Sequence, residues 1–358
     1  MEYYITRITS IQKLRREILE GRYKIRPGSK VVIYRPKKRV ANAPWFKDRV
    51  WQRSMCNNGV YEDLTGSFIM DNIACQKGKG LDMAIRRVIK MLQRIHHLDP
   101  EGIIWGTHLD IKGYFPNTPH KAIKEMDLRK ITEPEFIPYL NEIIDSQKDE
   151  RPEEEISADP FGERGTGLGS QINQLHQVAL LDGLDHELKT FCKYYIRYND
   201  DFLILDSDKN TVIRARETVK KYLERLGLVM TDKTGIFNAR NGFEFLRKRF
   251  FITRSGKIII KMHKKALSDE RRTLRGLKRY IDRGLRTMED VRAHYQSWVA
   301  NASYAGMAPI RAMDKFYTEL FREHPIYKLE KRYLYGKRSN SYKKRKNQAS
   351  RKRKQKAD

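Results

Sequence analysis

Three aspartates are placed where carboxylates could cooperate in phosphoryl-transfer chemistry. Asp110 lies near the end of the apolar segment IIWGTHLDI, and Asp200 and Asp201 lie between the apolar segments YYIRY and FLIL. Two hard cations about 3.5–4 Å apart can bind both oxygens of an in-line displacement, and they need carboxylates from separate elements. Adjacent aspartates also raise each other's pKa unless a cation lies between them. Asn199-Asp200-Asp201 is equally typical of an ordinary polar turn, so both interpretations remain open here.

A glycine-rich segment, GTGLGS from Gly165 to Ser170, precedes a predicted helix. Such a loop can cradle the phosphates of a dinucleotide, but only when a buried strand comes directly before it. The preceding residues, EEEISADPFGERG, are polar and broken, which argues against a dinucleotide site. The sequence has no GxxxxGK[ST] segment, and its nine histidines show no HExxH or zinc-finger spacing.

The elements that must position these residues can be predicted from apolar spacing and from capping residues. Helices are expected at about residues 7–20, 81–95, 171–191 and 210–226, and strands around residues 30–35, 103–110, 242–251 and 257–261. YYIRY and FLIL should form a hairpin around the Asn/Asp turn. From Ser268 onward three helices are expected, the second with Thr287 and Asp290 in capping-box spacing and the third with Pro309 in its first turn. The acidic stretch SQKDERPEEE looks like a solvated connection.

The composition indicates a polyanionic partner. The 358 residues carry 73 basic and 45 acidic side chains, a net charge of +28, and the segment from Lys331 alone has thirteen basic residues and one acid. That tail should be disordered, since it holds little that could be buried. Three isolated cysteines exclude a disulfide framework and a CxxC zinc site. No signal peptide or membrane span is evident, so we expect a cytoplasmic protein without a membrane partner.

Six segments, taken in their order along the chain, resemble motifs of reverse transcriptases. In chain order they are YRPKKRVANAPWFKDRVWQ, LDIKGYFPNT, GTGLGSQINQ, RYNDDFLIL, LGLVMTDKT and GFEFLRKRF. The resemblance extends over about residues 15–325. It is closest to prokaryotic reverse transcriptases (RNA-directed DNA polymerases), namely those of diversity-generating retroelements and related stand-alone antiphage-defence enzymes. Gly167, Asn173, Asn199 and Arg247 depart from the diversity-generating pattern, which favours a defence-associated enzyme.

The resemblance implies an α+β fold of the right-hand polymerase type, with an antiparallel palm sheet packed on helices. The implied divisions are fingers (1–100), palm (101–118), fingers or connection (119–160), palm with the primer-grip hairpin (161–261), a three-helix thumb (262–330) and a basic disordered tail (331–358).

The resemblance also implies a metal site and its chemistry. Asp110, Asp200 and Asp201, with the backbone carbonyl of Ile111, would hold two Mg²⁺ ions, with Mn²⁺ as an alternative. Lys233 would stabilise or protonate the leaving pyrophosphate, although a surface lysine is an equally simple interpretation.

Further residues are implied to contact the substrates. Lys37 and Arg39 would neutralise the triphosphate, or else belong to a solvated basic loop. Tyr114, beside Phe115, would exclude a 2′-hydroxyl, or else be a core tyrosine. Gln174 would lie beside the nascent base pair, or else on the polar face of a helix. Contacts to primer and template are implied for Tyr198 and for the start of the primer-grip segment, Gly242 and Phe243.

The implied activity is RNA-templated DNA synthesis in an antiphage-defence system. Its partners would be an RNA template, expected to be a dedicated non-coding RNA, the nascent DNA and deoxynucleoside triphosphates, with an accessory protein or a second copy of the chain as further candidates. The alternatives are a diversity-generating reverse transcriptase that makes mutagenised cDNA, an RNA polymerase or other nucleotidyl transferase, and a non-catalytic RNA-binding protein on the same scaffold. The basic body suits a duplex held through its phosphates.

Overall fold

The computed structural model describes residues 7–34 and 39–328, and the chain divides into two compact units, residues 1–237 and 238–358. The described part mixes helices with antiparallel sheets, in agreement with the predicted α+β class. Lys37 and the tail from residue 331 lie outside the described residues. No helix within these ranges is both long enough and apolar enough to cross a lipid bilayer.

The described strands of the first unit form a hairpin and a four-stranded sheet. They are β1 (Ser29–Ile33), β2 (Arg39–Ala43), β3 (Trp105–Ile111), β4 (Tyr195–Tyr198), β5 (Asp201–Asp206) and β6 (Met230–Asn238). The hairpin is β1 with β2, and the sheet has the order β4-β5-β3-β6. Strand β5 is antiparallel to both β4 and β3, with Leu109 opposite Phe202. The strand and the hairpin predicted around the three aspartates are confirmed.

Helices cover much of the rest of this unit. They are α1 (Arg7–Leu19), α2 (Phe46–Met55), α3 (Tyr61–Thr65), α4 (Leu81–Leu98), α5 (Tyr114–Asn117), α6 (His120–Lys130), α7 (Ile137–Asp145), α8 (Glu153–Ala158), α9 (Gln171–Leu180), α10 (Asp182–Lys189) and α11 (Lys209–Arg225). Three of them match predicted helices to within a few residues. For α11 the boundaries follow from chemistry, since the Asp208 carboxylate caps its first turn and Gly227 leaves it with a φ of +66°.

The single helix predicted over residues 171–191 is wrong, because the structure divides it at Leu181 into α9 and α10. The two halves bury their apolar residues in different places. Leu184 and Leu188 of α10 join the sheet core, the buried cluster around Leu109, Phe202 and Val219. The apolar side chains of α9 join a second cluster, formed with α2, α3, α6 and α7. One straight helix could not face both clusters, so tertiary packing overrides the continuous helical pattern.

The acidic connection predicted to be solvated is only partly so. The Asp149 side chain is buried and pairs with Arg151, and Arg151 also pairs with Asp159 at 2.7 Å. Arg164 binds Asp159 at 2.5 Å, and its Nη1 donates to the carbonyls of Asn117 and Gly227 at 2.9 and 2.7 Å. Together these ion pairs order the approach to the glycine-rich segment.

The second unit combines a small sheet with a helical core. Its described elements are β7 (Phe243–Phe245), β8 (Lys248–Ile252), β9 (Ile258–Met262), α12 (Lys264–Asp282), α13 (Met288–Ala302) and α14 (Met307–Phe321). The predicted capping box of Thr287 and Asp290 is present at the start of α13, and Pro309 lies in the first turn of α14. Helix α12 begins four residues before the predicted start at Ser268. Val291, Tyr295, Ile310 and Tyr317 form the centre of the helical core.

Candidate functional site

Pairing between β3, β4 and β5 brings the three aspartates to one end of the four-stranded sheet. Leu109 pairs with Phe202, so the next residue of β3, Asp110, lies beside Asp201 at the start of β5. Tyr198 pairs with Asp201, which leaves Asn199 and Asp200 as the two residues of the turn. Asn199 has a φ of +58°, a conformation that asparagine tolerates better than most residues and that a two-residue hairpin requires.

Lys233 on β6 links the carboxylates of β3 and β5. Its ammonium lies 3.1 Å from Asp110 Oδ2 and 2.5 Å from Asp201 Oδ1. The two carboxylate oxygens are therefore separated by no more than the sum of these two distances. The side chains of Asp110 and Asp201 therefore lie close together, although the two residues are more than ninety positions apart in the sequence. Lys233 was predicted to face a leaving group, and in the structure it contacts the aspartates.

His108 is part of this site and was not predicted from the sequence. It lies on β3 two residues before Asp110, and its Nε2 is 3.2 Å from Asp201 Oδ1. The imidazole is buried, and the backbone N–H of His108 donates to the Thr234 hydroxyl on β6 at 3.1 Å. The alternation of side chains along a strand was the available signal, since residues 108 and 110 must share one face of the sheet.

The ionisable side chains of the site have pKa values that are shifted in different directions. Burial, together with repulsion from Asp110 and Asp201, raises the pKa of Asp200 to about 6. For Asp201, burial acts in the same direction, but hydrogen bonds from His108 and Lys233 outweigh it and lower the pKa. The pKa of Lys233 is raised, because its contacts with Asp201 and Asp110 outweigh the effect of burial. The end of the sheet is therefore a place where additional positive charge would be stabilised.

A buried ion pair supports the turn from beneath. Arg197 and Asp185 are both fully buried and bond through two oxygens, at 2.7 and 2.5 Å. The same guanidinium donates to the carbonyl of Asn199 at 3.0 Å and to that of Val178 at 3.0 Å. Asp185 also accepts from the Tyr195 hydroxyl at 2.6 Å. The network fixes the backbone of the turn that carries Asp200, and nothing in the local sequence pattern identified it.

The structure distinguishes the two aromatic residues that follow Asp110. Tyr114 is 2% exposed, and its hydroxyl donates to the carbonyl of Gln177 at 2.6 Å. Phe115 is only partly buried, with its ring centre 6.2 Å from that of Tyr114. Tyr114 thus occupies the core position that the sequence left open as an alternative. Ile111 contributes its side chain to the same sheet core.

The glycine-rich segment lies against β2. The backbone N–H of Asn42 donates to the carbonyl of Leu168 at 2.7 Å, and a Cβ at Gly169 would come within 2.4 Å of the Asn42 carbonyl oxygen. Gly169 also has a φ of +123°, which side chains rarely permit. Gln174, on α9 directly after this segment, is exposed. The structure therefore brings the β2 backbone and the start of α9 together around the loop.

Other predicted contact residues are placed as follows. Arg39 begins β2, but its side chain is not among those described. Tyr198 is half-buried at the end of β4, and burial raises its pKa. Gly242 and Phe243 belong to the second unit, where Gly242 has a φ of +83° and Phe243 is buried with its ring stacked on Phe250, 5.5 Å between centres.

One group of side chains outside the aspartate site has the arrangement of a metal site. The criterion is that at least three His, Cys, Asp or Glu residues have ligand atoms that all lie within 4.8 Å of one another. Among residues 7–34 and 39–328, this group meets it. Its members are His120, Asp145 and Glu163, of which only the histidine is buried.

Comparison with solved structures identifies the fold. The structure of telomerase from Candida albicans in complex with a TWJ fragment of telomeric RNA matches with a TM-score of 0.52 and 11% identity, over 86% of this chain and 56% of that one. Apo telomerase from Candida tropicalis matches with a TM-score of 0.50 and 12% identity, over 86% of this chain and 60% of that one. The likeness shows a reverse-transcriptase-like fold. This chain spans only a little over half of the length of those proteins. No protein-family model and no curated protein matches it.

Proposed function

We propose that the protein is an RNA-templated DNA polymerase that adds deoxynucleotides to a primer 3′-hydroxyl. The observation that carries the proposal is the position of Asp110, Asp200 and Asp201 at one end of a sheet of reverse-transcriptase-like fold, where Lys233 bridges Asp110 and Asp201. In the reaction the 3′-oxygen attacks the α-phosphorus of the incoming nucleotide and pyrophosphate leaves. The buried Arg197–Asp185 pair holds the turn, and a raised pKa such as that of Asp200 is typical of functional sites, which favours the polymerase over an ordinary polar turn.

The donor set at the end of the sheet fits divalent magnesium or manganese. All three side chains offer carboxylate oxygens, the ligands that such hard cations prefer. The raised pKa of Asp200 and the ammonium between Asp110 and Asp201 both indicate that the site favours cations. Ions held there by the three aspartates, with help from the Ile111 carbonyl, would promote deprotonation of the 3′-hydroxyl and neutralise charge on the pyrophosphate.

The other residues hold the reactants or the acids. His108 is a positioning residue, since its contact with Asp201 orients that carboxylate. Lys233 compensates negative charge beside the acids and can turn toward the pyrophosphate. The exclusion of a 2′-hydroxyl falls to Phe115, because the Tyr114 side chain is buried and its hydroxyl is already bonded. Lys37 and Arg39 would bind the triphosphate, and Gln174 the nascent base pair.

The proposal includes a division of labour along the chain. Residues 1–100 and 119–160 would form the fingers, residues 101–118 and 161–261 the palm, and residues 262–330 the thumb. Tyr198, Gly242 and Phe243 would contact primer and template. An RNA partner is supported by the high positive charge and by the likeness to a telomerase that was solved with RNA.

The test is primer extension on an RNA template with purified full-length protein. Wild type should incorporate deoxynucleotides only when Mg²⁺ or Mn²⁺ is present, and Asp200→Asn should lose at least a thousandfold in rate while retaining RNA affinity. Asp206→Asn is the matched control, since this carboxylate lies at the opposite end of the same strand. Incorporation by Asp200→Asn at the wild-type rate would refute the proposal, as would equal losses in both variants.

Four residues, Gly167, Asn173, Asn199 and Arg247, depart from the diversity-generating pattern. On this basis we further propose that the template is a dedicated non-coding RNA of an antiphage-defence system. Sequencing the RNA that co-purifies with the protein, and the DNA that it makes, tests this directly. One abundant RNA copied into an unmutated product is the expected result. A product with many substitutions relative to its template would instead support the diversity-generating alternative.

A further inference from the structure

We propose that His120, Asp145 and Glu163 bind a divalent transition-metal ion, with Zn²⁺ as the best-fitting member of that class, at a site separate from the three aspartates. The residues come from three segments of the first unit. His120 is the first residue of α6, Asp145 is the last of α7, and Glu163 precedes the glycine-rich segment. One ligand atom from each lies within 4.8 Å of the other two.

The imidazole of His120 is oriented as a metal ligand requires. Its Nε2 lies 2.7 Å from the carbonyl oxygen of Gly165. A carbonyl only accepts, so Nε2 must donate its hydrogen, and the neutral ring then carries its lone pair on Nδ1. Histidines that ligate metals usually donate their second ring N–H to a carbonyl or a carboxylate in this way.

Nδ1 has no other partner that would explain its position. The residue is 4% exposed, and this buried nitrogen makes no hydrogen bond. It faces Glu163 Oε2 at 3.3 Å and Asp145 Oδ1 at 3.7 Å, and neither contact has hydrogen-bond geometry. A lone pair that points at two carboxylates is unfavourable unless a cation lies between them.

The spacing fits a small ion. Zinc binds nitrogen and oxygen at about 2.0–2.2 Å, so two of its tetrahedral ligands lie roughly 3.4 Å apart. The contacts of Nδ1 are close to that value, and the carboxylates are 51% and 58% exposed, which leaves them free to adjust. Lys124 lies 2.6 Å from Asp145 Oδ1 and would compete for that oxygen. An imidazole nitrogen with two carboxylates favours Zn²⁺ over Mg²⁺ and Ca²⁺, which prefer oxygen ligands alone.

The backbone prepares the site before an ion arrives. The N–H of His120 donates to the Glu163 carbonyl at 2.9 Å, and the N–H of Gly165 donates to the Thr118 carbonyl at 2.9 Å. Pro119 and Arg164 form the isolated antiparallel bridge between these two bonds. An ion here would tie the start of α6 and the end of α7 to the segment that leads into the glycine-rich loop. Its role would be structural, because it would fix the loop from which α9 begins.

The test measures Zn²⁺ binding to the full-length protein by calorimetry, after treatment with EDTA and in excess Mg²⁺. Every variant carries Cys75→Ser, since that exposed thiol could bind zinc on its own. We expect one Zn²⁺ ion to bind each chain with high affinity. Glu163→Gln and Asp145→Asn should each weaken the zinc affinity at least tenfold. Glu125 lines the same surface pocket as His120, Asp145 and Glu163. Glu125→Gln, which removes that carboxylate, should leave the zinc affinity unchanged.

A second readout distinguishes the ion from a charged histidine. If an ion is bound, EDTA should lower the melting temperature of the parent protein but not that of Glu163→Gln, and added Zn²⁺ should restore it. If a protonated His120 merely pairs with the two carboxylates, EDTA will have no effect. That result would overturn the proposal, as would equal zinc affinity in Glu163→Gln and in Glu125→Gln.

Discussion

The carboxylate of Asp200 is held in an environment that opposes its charge. Burial comes first among the causes, followed by repulsion from Asp110 and Asp201, and the pKa rises to about 6. A carboxyl group with a raised pKa in the folded state binds its proton more tightly than in the unfolded chain. Its ionisation therefore removes stability as the pH rises from about 4 to about 6.

Asp200→Asn should make the metal-free protein more stable at neutral pH. The pKa shift predicts that the free energy of unfolding of Asp200→Asn exceeds that of wild type by roughly 2–3 kcal/mol above pH 7. Below about pH 4 the two proteins should be equally stable, because Asp200 is then protonated in both the folded and the unfolded chain. Urea denaturation in EDTA at several pH values measures the difference. Asp206→Asn is the control and should follow the wild-type curve. Equal stability of Asp200→Asn and wild type at pH 7.5 would contradict the electrostatic account.

The residue that excludes ribonucleotides should be Phe115. Replacing it with valine removes the bulk of the aromatic ring, so we expect uptake of ribonucleotides relative to deoxynucleotides to rise at least tenfold. Tyr114→Phe removes only a hydroxyl that is bonded within the core, and it should leave the ratio unchanged. Competition between labelled nucleotides in primer extension gives both ratios. If the uptake ratio changes only in Tyr114→Phe, then Tyr114 and not Phe115 is the residue that excludes ribonucleotides.

At the level of single residues the sequence was informative where a motif fixes both type and position. The positions of Asp110 near a strand end and of Asp200 and Asp201 at a hairpin turn were predicted correctly in this way, because strand ends and hairpin turns are local patterns. The roles of His108 and Arg197 were not found, and the sequence could not decide between the gate and the core position for Tyr114, since each depends on partners from distant strands or helices. A lone histidine or arginine carries no signal of the carboxylate that it will meet.

Among the elements, the hairpin of β4 and β5 depends most on a buried charge pair. Arg197 contacts Asp185 and the carbonyls of Asn199 and Val178, and no water can replace these bonds at zero exposure. Removing one partner of such a pair leaves an uncompensated charge in the interior. The position of the turn that holds Asp200 is therefore linked to the stability of the sheet.

Arg197→Met should lower the free energy of unfolding by about 3–5 kcal/mol. Chemical denaturation of the full-length protein measures the loss. Arg225→Met is the comparison, since Arg225 makes an exposed 3.4 Å pair with Glu187 whose removal should cost less than about 1 kcal/mol. Similar losses in both variants would show that the buried network does not have the importance assigned to it.

Element boundaries were predictable where capping chemistry is explicit. The Thr287–Asp290 box marks a helix start that the structure reproduces. The break at Leu181 was missed because the apolar spacing continues through it, and only the presence of two separate cores requires a bend. The ion pairs of Arg151 and Arg164 were missed for a similar reason, since a charged stretch is usually solvated.

For the whole molecule, the net charge of +28 should dominate affinity for RNA. Each phosphate contact releases counterions, so the logarithm of the binding constant falls linearly with the logarithm of salt concentration. The KKRK and RKRK runs at residues 343–346 and 351–354 belong to the part of the chain that the structure does not describe. Their contribution can nevertheless be measured.

Deleting residues 335–358 should flatten the salt dependence of RNA affinity more than it changes the rate of nucleotide addition. The physical reason is that the deletion removes cations without touching the aspartates of the sheet. Filter binding across a range of salt concentrations gives the slope, and single-turnover extension gives the rate. If the slope is the same with and without the segment, the segment does not contact the RNA.

The ammonium of Lys233 gives the protein a counterion of its own. It lies between Asp110 and Asp201, so part of the acidic charge is compensated by the polypeptide itself. We therefore expect a newly synthesised chain to reach its native structure where free magnesium is scarce. Preparations stripped with chelators should keep their shape in storage and regain activity once divalent salt is returned.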